Sequence, residues 1–460
     1  MARDRIPSSR VGRTARIGGL AAGQAVRQAG TRAANLTRSP DAAGAALEAR
    51  QLEAARQIVA VLGTMKGAAM KVGQVLSFLD VGLVSEANRE EFQRLLAQLR
   101  DAAPRVRFAD MRKVLEEDLE EPLGDVFETI DEEPIAAASI GQVYRATLPG
   151  GRPVAVKVQY PGVAGAVRAD MQNLGLILRL MKRTAPGLDA RAIGDEVRER
   201  IGEELDYELE AQNQRTMARL YRGHPFILVP EVVTSLSRER VIVSELVEGA
   251  GFDELRELPQ LERDRVGEIV FRFFFGSMYR HHEFSTDPHP GNFLLLDDGR
   301  MAFLDFGMYK RMDPRLIDFE LRFLRAGIEG DAEELKRLWV ANGTLTEPDR
   351  IAPEEVLDQF RAATWWYTAD EEVPLRRELA TEMIIDASEP RSRYFDQMRY
   401  QRLPPDHLFG RRVEFLTLAV LAQLGARANW HRIAREWIYG DPPQTELGRL
   451  EAPFHSCAAA

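Results

Sequence analysis

The stretch Thr286–Gly307, TDPHPGNFLLLDDGRMAFLDFG, holds three polar residues at an informative spacing. Asp287 stands five positions before Asn292 and eighteen before Asp305, with two apolar runs between them. Short apolar runs separated by Asp-Asp-Gly predict two strands joined by a turn. The carboxylate and amide groups therefore fall at strand ends, where a rigid backbone fixes the positions of their oxygens.

This order of Asp, Asn and Asp-Phe-Gly is typical of the catalytic loop and metal-binding turn of protein kinases. Phosphoryl transfer requires mainly the positioning of reactants and compensation of the charge on the phosphate oxygens. Because Mg²⁺ prefers oxygen ligands, Asn292 and Asp305 are candidate metal ligands. Asp287 would orient an attacking hydroxyl or water, or accept its proton.

Upstream segments supply candidates for binding phosphate. In VAVKVQ, Lys157 lies on a predicted strand, so its neighbours Val156 and Val158 point to the opposite face. In PIAAASIGQVYRA, Ser139, Gly141 and their backbone amides form a candidate turn over a phosphate. An edge-strand lysine exposed to solvent and an ordinary alanine-rich turn are the alternatives.

Carboxylates follow in EELDYELEAQN, where periodicity predicts a helix carrying Glu204, Asp206 and Glu210. Such a row is usually a solvated helix face. One carboxylate directed inward would instead pair with the strand lysine. The joint order of loop, lysine, helical carboxylate, Asp287 and Asp305 favours a nucleotide site over separate packing roles.

Bulk composition narrows the class of protein. A chain of 460 residues, 45% hydrophobic and 29% charged, is expected to form more than one compact domain. The net charge of −10 argues against nucleic-acid binding. Cys457 is the only cysteine, which excludes an intrachain disulfide and favours a reducing compartment. No apolar run approaches the ~20 residues needed to span a bilayer.

Four regions follow from composition and pattern. Residues 1–40 hold eight arginines and one acid, which predicts a basic and flexible arm able to lie on an anionic membrane surface or to serve as a targeting segment. Residues 41–121 are predicted to be helical, residues 122–250 to form a small antiparallel sheet with inserted helices, and residues 251–460 to form a helical lobe. The predicted strands are VFETI, IGQVYRATL, RPVAVKVQY, FILVPEVV and RVIVSELVEG.

Four segments together resemble the UbiB/AarF (ADCK) family of atypical kinase-like proteins, which includes proteins associated with coenzyme Q biosynthesis. They are Lys71-Val72-Gly73-Gln74, Ala136-Ala137-Ala138-Ser139, Glu204-Leu205-Asp206 continuing to Glu210-Ala211-Gln212-Asn213, and Asp287-Pro288-His289-Pro290-Gly291-Asn292. The resemblance runs from about residue 40 to about residue 340. It implies an α+β, two-lobed protein kinase-like fold with an N-terminal helical extension.

The resemblance also assigns roles to residues. Asp287, Lys157 and Glu210 are the implied catalytic group, and Asn292 and Asp305 the implied Mg²⁺ ligands. The implied contacts of ATP or ADP are Ala136, Ala137, Ala138, Ser139, Ile140, Gly141, Val143, Ala155, Lys157, Glu245 and Val247. Lys71, Gly73 and Gln74, with Glu204 and Asp206 facing them, are the implied regulatory set, packing where a protein substrate would bind.

Three functional hypotheses remain open at this point. The first is a Mg²⁺-dependent ATPase or kinase of a small lipid-like substrate, such as an isoprenoid quinone precursor, in the cytoplasm and peripheral to the membrane. The second is a nucleotide-binding pseudokinase scaffold at the membrane. The third is a small-molecule phosphotransferase of aminoglycoside or choline kinase type.

Several features depart from the family or stay ambiguous. Ser285-Thr286 precede Asp287 where relatives commonly carry a histidine and a small apolar residue. His281, His282 and His289 cluster in sequence, but without a fourth ligand they do not predict a zinc site. Trp365-Trp366-Tyr367 is expected to be core, with lipid or quinone contact as the alternative.

Overall fold

The computed structural model describes residues 106–138, 140–168, 202–203, 205–388, 394, 397, 400–402 and 405–458. The basic arm and most of the helical extension, with Lys71, Gly73 and Gln74, lie outside the described residues. Ser139 and Glu204 lie outside them as well. The predictions made for these residues therefore stay predictions.

Helices and strands alternate first and helices dominate later. The helices are α1 Phe108–Leu119, α2 Leu123–Val126, α3 Tyr207–Leu220, α4 Phe252–Arg256, α5 Gln260–Phe271, α6 Pro314–Glu329, α7 Ala332–Ala341, α8 Pro353–Thr368, α9 Arg377–Ser388, α10 Pro405–Leu424, α11 Trp430–Ile438 and α12 Glu446–Ala458. The strands are β1 Thr129–Ile130, β2 Ala136–Ala137, β3 Gly141–Leu148, β4 Arg152–Gln159, β5 Ile227–Leu228, β6 Val241–Glu245, β7 Glu283–Ser285, β8 Phe293–Leu295, β9 Met301–Phe303, β10 Tyr309–Arg311, β11 Val373–Pro374 and β12 Arg427–Ala428.

The chain divides into two compact units. The first contains the residues up to Glu208 together with Thr234–Val243, and the second contains Leu209–Val233 and the residues from Ser244 onward. The mixture of helix and sheet confirms the predicted α+β class. The region boundaries expected from the sequence stay predictions.

The first unit is built on a five-stranded sheet in the order β1-β3-β4-β6, with β2 also paired to β3. The β3–β4 hairpin turns at Gly150 and Gly151, whose φ angles of +96° and +84° favour glycine. Val154, Val156 and Val158 are fully buried on one face of β4, and α1 packs against this strand. Alternation along β4 therefore gives Lys157 the opposite face, as the sequence predicts.

Three predicted strands are shorter than expected. Of RVIVSELVEG, only Val241–Glu245 forms strand β6. In VFETI, strand β1 begins only at Thr129, because Val126 ends the helical turn α2 and buries its side chain there. In FILVPEVV, strand β5 stops at Leu228, since Pro230 has no N–H to continue a ladder. Val232 then returns to pairing through a single bridge with Ser244.

The second unit surrounds an aromatic core. A π-helical segment, Arg272–His281, follows α5 and buries three successive phenylalanines from Phe273 to Phe275. Phe273 stacks on Phe303 of β9 with ring centroids 3.6 Å apart. Trp366 and Tyr367 are each 1% exposed, which confirms that they are core.

A buried arginine ties the π-helical segment to the C-terminal helices. The side chain of Arg272 is fully buried and uses all five N–H donors. It donates to Glu268, Glu436, Glu451 and Thr445 at 2.7–2.9 Å. Burial by itself would lower the pKa of Arg272, but the surrounding carboxylates raise it, so the group stays charged.

Candidate active site

The predicted catalytic loop starts at the end of a two-stranded ladder. Strand β7 pairs with β10 in antiparallel register, and the N–H of Thr286 donates to the carbonyl of Met308 at 2.9 Å. The loop then folds on itself, since the N–H of His289 donates to Asp287 O at 2.7 Å and that of Asn292 to His289 O at 2.9 Å. A 3-10 turn over Pro290–Asn292 completes it. Asp287 is thus held by backbone on both sides.

Strands β8 and β9 bring the two predicted metal ligands to one end of a ladder. Phe293 pairs with Phe303, and the N–H of Leu304 donates to Asn292 O at 2.9 Å. Asn292 therefore precedes one strand at the level where Asp305 follows the other. The side-chain amide of Asn292 donates from Nδ2 to the backbone oxygen of Asp287 at 3.4 Å. The loop and the strand pair therefore form one assembly.

The Asp305-Phe306-Gly307 turn is anchored by its own backbone and by α3. The N–H of Gly307 donates to Asp305 Oδ1 at 3.0 Å, which orients the carboxylate. Phe306 is fully buried in the core of the second unit. Asn213 of α3 donates from its side chain to Phe306 O at 3.1 Å. These contacts explain why a phenylalanine between Asp and Gly fits this position.

Arg412 of α10 contacts the catalytic loop and was not found by sequence reasoning. Its Nε donates to Thr286 O at 3.0 Å and its guanidinium reaches Asp287 Oδ1 at 3.2 Å. The two side chains are only 14% and 9% exposed. A charge pair this far from bulk water gains more than a surface pair. Arg412 therefore fixes the position of the Asp287 carboxylate.

The alanine-rich segment is a tight hairpin edge in the first unit. Ala136 and Ala137 pair with Val143 and Gln142, and the N–H of Ala138 donates to Gly141 O at 2.9 Å. Among described residues other than glycine, positive φ occurs only at Glu120 and His282, so these alanines lie in ordinary backbone regions. The alanine-rich segment is therefore an exposed strand edge, and its contact with nucleotide stays a prediction.

Lys157 and Gly141 lie on the two strands of the β3–β4 hairpin, two residue pairs apart along the ladder. Gly141 pairs with Gln159, and Val143 pairs with Lys157. A Cβ on Gly141 would lie 2.3 Å from Val158 O, so close strand approach requires glycine here. The Lys157 ammonium lies 4.9 Å from the ring centroid of Tyr207.

The remaining predicted residues occupy ordered positions. Asp206 accepts from the N–H of Glu208 at 3.0 Å at the start of α3, so it caps this helix, and its regulatory role stays a prediction. Glu210 is 3% exposed, as a carboxylate directed inward should be. The N–H of Glu245 donates to Glu231 O at 2.8 Å in the predicted hinge. The other predicted nucleotide contacts are placed by β-structure and its flanks: Ile140, Val143, Ala155 and Val247.

The predicted residues fall into two groups. Lys157, with the alanine-rich segment, belongs to the first unit. Glu210, Asp287, Asn292 and Asp305 belong to the second, where the last three form the assembly described above. The convergence of both groups around one nucleotide stays a prediction.

The three histidines near the loop have separate surroundings. His289 accepts from the N–H of Gly291 and caps the 3-10 turn. His282 takes a φ of +59° after the π-helical segment. The ring of His281 lies 5.9 Å from that of His455. Burial lowers the pKa of His281 to about 4.

One group in the described part of the chain has the spacing of metal ligands: His224, Glu451 and His455. Its chemistry does not fit a metal. Nδ1 of His224 accepts backbone N–H bonds from Phe226 and Ile227, so the ring proton sits on Nε2, which faces Glu451 Oε1 at 3.2 Å. The other Glu451 oxygen is held by Arg272 and Arg280 at 2.8 and 3.1 Å. We interpret the group as a buried hydrogen-bonded network.

Comparison with known proteins now gives the family, since the sequence pattern of the "ABC1 atypical kinase-like domain" matches residues 98–339, more than half of the chain. The chain belongs to the ABC1 atypical kinase-like family. The UbiB/AarF resemblance is confirmed, and so is the kinase-like fold that it implied.

Individual relatives agree with the ABC1 assignment. "Atypical kinase COQ8B, mitochondrial" of Danio rerio is 33% identical over 333 residues, 71% of this chain and 52% of that protein. An uncharacterized aarF domain-containing protein kinase of Arabidopsis thaliana, named as chloroplastic, is 35% identical over 312 residues, 67% of this chain and 43% of that protein. This ABC1-family chain thus spans about half the length of the curated relatives it matches.

A solved structure extends the comparison along the chain. The complex of Rv3197 with erythromycin from Mycobacterium tuberculosis has a TM-score of 0.63 and 31% sequence identity, covering 87% of this chain and 98% of that one. Membership of this kinase-like family implies nucleotide binding. No helix in the described ranges is long and apolar enough to cross a bilayer.

Proposed function

We propose that this ABC1-family chain binds MgATP and hydrolyses it, or transfers its terminal phosphoryl group to a small lipid-like acceptor. The observation that carries the proposal is the assembly of Asp287, Asn292 and Asp305 at the ends of short paired strands. The Asn292 and Asp305 side chains are held by bonds to backbone groups and the Asp287 carboxylate by Arg412, which suits a reaction that depends on positioning and charge compensation.

Each residue has a definite task in this scheme. Asn292 and Asp305 would hold Mg²⁺, which supplies charge compensation on the phosphate oxygens. Lys157 would donate to the α- and β-phosphates and pair with Glu210, and the Glu245–Val247 backbone would contact adenine. Asp287 would orient the attacking hydroxyl or water. Because the Arg412 guanidinium contacts Asp287 Oδ1 and fixes the carboxylate, we assign Asp287 the role of orienting the nucleophile.

Isoprenoid quinone precursors or other membrane lipids are the proposed acceptors. The support is the family resemblance, together with the basic arm at residues 1–40, whose charge suits an anionic membrane surface. Action at the cytoplasmic face, peripheral to the membrane, follows from this reading. Lys71, Gly73 and Gln74 would exclude a peptide substrate and leave space for a small one.

The test is ATP hydrolysis by the purified full chain with and without Mg²⁺, and with and without vesicles containing anionic lipid. We expect Mg²⁺-dependent phosphate release that vesicles increase and that Asp287→Asn lowers by at least 100-fold while MgATP binding persists. Hydrolysis unchanged in Asp287→Asn would contradict the catalytic assignment. Binding of MgATP by the parent without any turnover would instead favour the pseudokinase scaffold.

A second candidate is suggested by the solved relative. Its structure is a complex with erythromycin, and 98% of that chain aligns with this one. We therefore propose that a macrolide or similarly bulky apolar ligand can bind this chain. Calorimetric titration of erythromycin into the full chain tests this, and the absence of saturable heat would dismiss it.

A further inference from the structure

Tyr207 is an aromatic residue at the start of α3 that no predicted role includes. It is 1% exposed, and its N–H donates to Glu239 O at 2.9 Å. The adjacent backbone is held from the sheet, since the side chain of Gln159 donates to Leu205 O at 2.9 Å and approaches Glu239 O at 3.3 Å. The position of the Tyr207 ring is therefore set by strand β4 and by the segment before β6.

The Tyr207 side chain lies between the Lys157 ammonium and the Gly141 backbone. The Lys157 ammonium lies 4.9 Å from the ring centroid, within the range of a cation–π contact. At the other end, a Cβ on Gly141 would lie 2.9 Å from the Tyr207 hydroxyl, so this hydroxyl sits directly against the Gly141 backbone. Gly141 pairs with Gln159, which is two residues from Lys157 along β4. Lys157 and Gly141 therefore lie on the same face of the β3–β4 hairpin.

A cation–π contact leaves the hydrogen-bond donors of a lysine available. The ring attracts the charge through its quadrupole, so the three N–H groups can still donate to carboxylate or phosphate oxygens. A long lysine side chain otherwise loses considerable rotamer freedom when a ligand fixes it. An aromatic surface that already confines the ammonium reduces that loss before nucleotide arrives.

We propose that Tyr207 is a positioning residue for phosphate binding, holding the Lys157 ammonium beside the Gly141 end of the hairpin. The inference rests on the proposed MgATP function and adds a residue to it. The ring, rather than the hydroxyl, carries the contact to Lys157. The binding affinity for ligands that carry phosphate should therefore depend on Tyr207 more than the affinity for ligands that lack phosphate.

The experiment compares MgATP and adenosine binding by the full chain in four forms: parent, Tyr207→Leu, Tyr207→Phe and Tyr144→Leu. Tyr144 is fully buried on the other face of β3 against Phe108, so its replacement controls for the loss of a large aromatic from the same unit. We expect Tyr207→Leu to weaken MgATP binding about 3- to 30-fold. We expect Tyr207→Phe to bind MgATP within about twofold of the parent. The affinity for adenosine should be unchanged in Tyr207→Leu and in Tyr207→Phe.

Other outcomes separate the two proposals. A parent that binds no MgATP would overturn the proposed function together with this role. A parent that binds MgATP, with Tyr207→Leu equal to it, would overturn the role of Tyr207 alone. Equal losses for adenosine and MgATP, or the same loss in Tyr144→Leu, would show general damage and would also overturn it.

A second measurement needs no nucleotide. Mass spectrometry can follow the rate at which a small amine-selective acylating reagent labels Lys157. We expect faster labelling in Tyr207→Leu than in Tyr207→Phe or the parent, because the ring stabilises the ammonium, which is the unreactive form. Identical rates in all three proteins would contradict the contact itself.

Discussion

Replacement of Arg412 by methionine tests whether the side chain that contacts Asp287 matters for turnover. The change removes the Nε bond to Thr286 O at 3.0 Å and the contact with Asp287 Oδ1 at 3.2 Å, while keeping an unbranched apolar stem. Hydrogen bonds to charged groups contribute about 1.5–3 kcal/mol each. If one such contribution holds Asp287 in its productive orientation, kcat for ATP hydrolysis should fall about 10- to 150-fold.

The effect should appear in kcat and not in KM for MgATP. Arg412 contacts Thr286, Asp287 and Met308 at 3.0–3.6 Å, so it acts on the loop residue that orients the nucleophile. Steady-state kinetics of the parent and Arg412→Met measures both constants. An increase in KM with unchanged kcat would mean that Arg412 serves nucleotide binding instead.

Arg240→Met provides a matched control. Arg240 donates to Asp118 from its backbone and its Nε at 2.9 and 3.0 Å, and Asp118 is 11% exposed. This partly buried ion pair resembles that of Arg412 but belongs to the first unit, whereas the catalytic loop belongs to the second. We expect it to lower stability without lowering kcat. A kcat for Arg412→Met within twofold of the parent, or a loss equal to that of Arg240→Met, would refute the reasoning.

Three other outcomes can be checked. Ala137→Gly or Ala138→Gly should change the ratio of ATP to ADP affinity, because glycine frees a hairpin edge that alanine restricts; equal ratios in a binding titration would remove the idea. Arg272→Met should lower the free energy of unfolding by about 3–5 kcal/mol at neutral pH, measured by urea denaturation, because it removes the cation that pairs with three buried carboxylates. Stability should also fall as pH drops below about 6.5, since the pKa of His281 is lowered to about 4 in the folded chain and the unfolded chain binds the proton first. Burial would raise the pKa of Glu451, but His224, His455 and two arginines hold it well below its usual range. Protonation of Glu451 in the unfolded chain should therefore lower stability further below about pH 4.5. His281→Phe should flatten the first part of a thermal-shift profile against pH, and an unchanged profile would contradict this.

Local spacing was enough to predict the strand pair and its polar ends. Asn292 and Asp305 are separated by two short strands and a turn, so pattern alone brings them to the same end of a ladder. The β3–β4 hairpin with Lys157 followed in the same way from alternation and a Pro-Gly-Gly turn. The extents of β1 and β5 were predicted too long, because a short helical turn occupies Leu123–Val126 before β1 and Pro230 ends the ladder of β5.

Contacts between distant segments were not predictable in the same way. Arg412 is 125 residues from Asp287, and no periodic pattern links a loop to a helix so far along the chain. A signal did exist, since Arg411 and Arg412 interrupt the apolar sequence of α10. Charged residues within a buried helix indicate partners elsewhere. Arg272, between phenylalanines at positions 271 and 273, carries the same signal.

The Arg272 guanidinium, whose five donors are all used, also restricts which substitutions the second unit can accept during evolution. Any single replacement among Arg272, Glu268, Glu436 and Glu451 unbalances the charges of a buried cluster, although an all-apolar version of the same cluster could be equally stable. Intermediates on the way to that version are penalised, so the four positions are expected to be inherited as a set. Homologues that lose one of them should lose the others together.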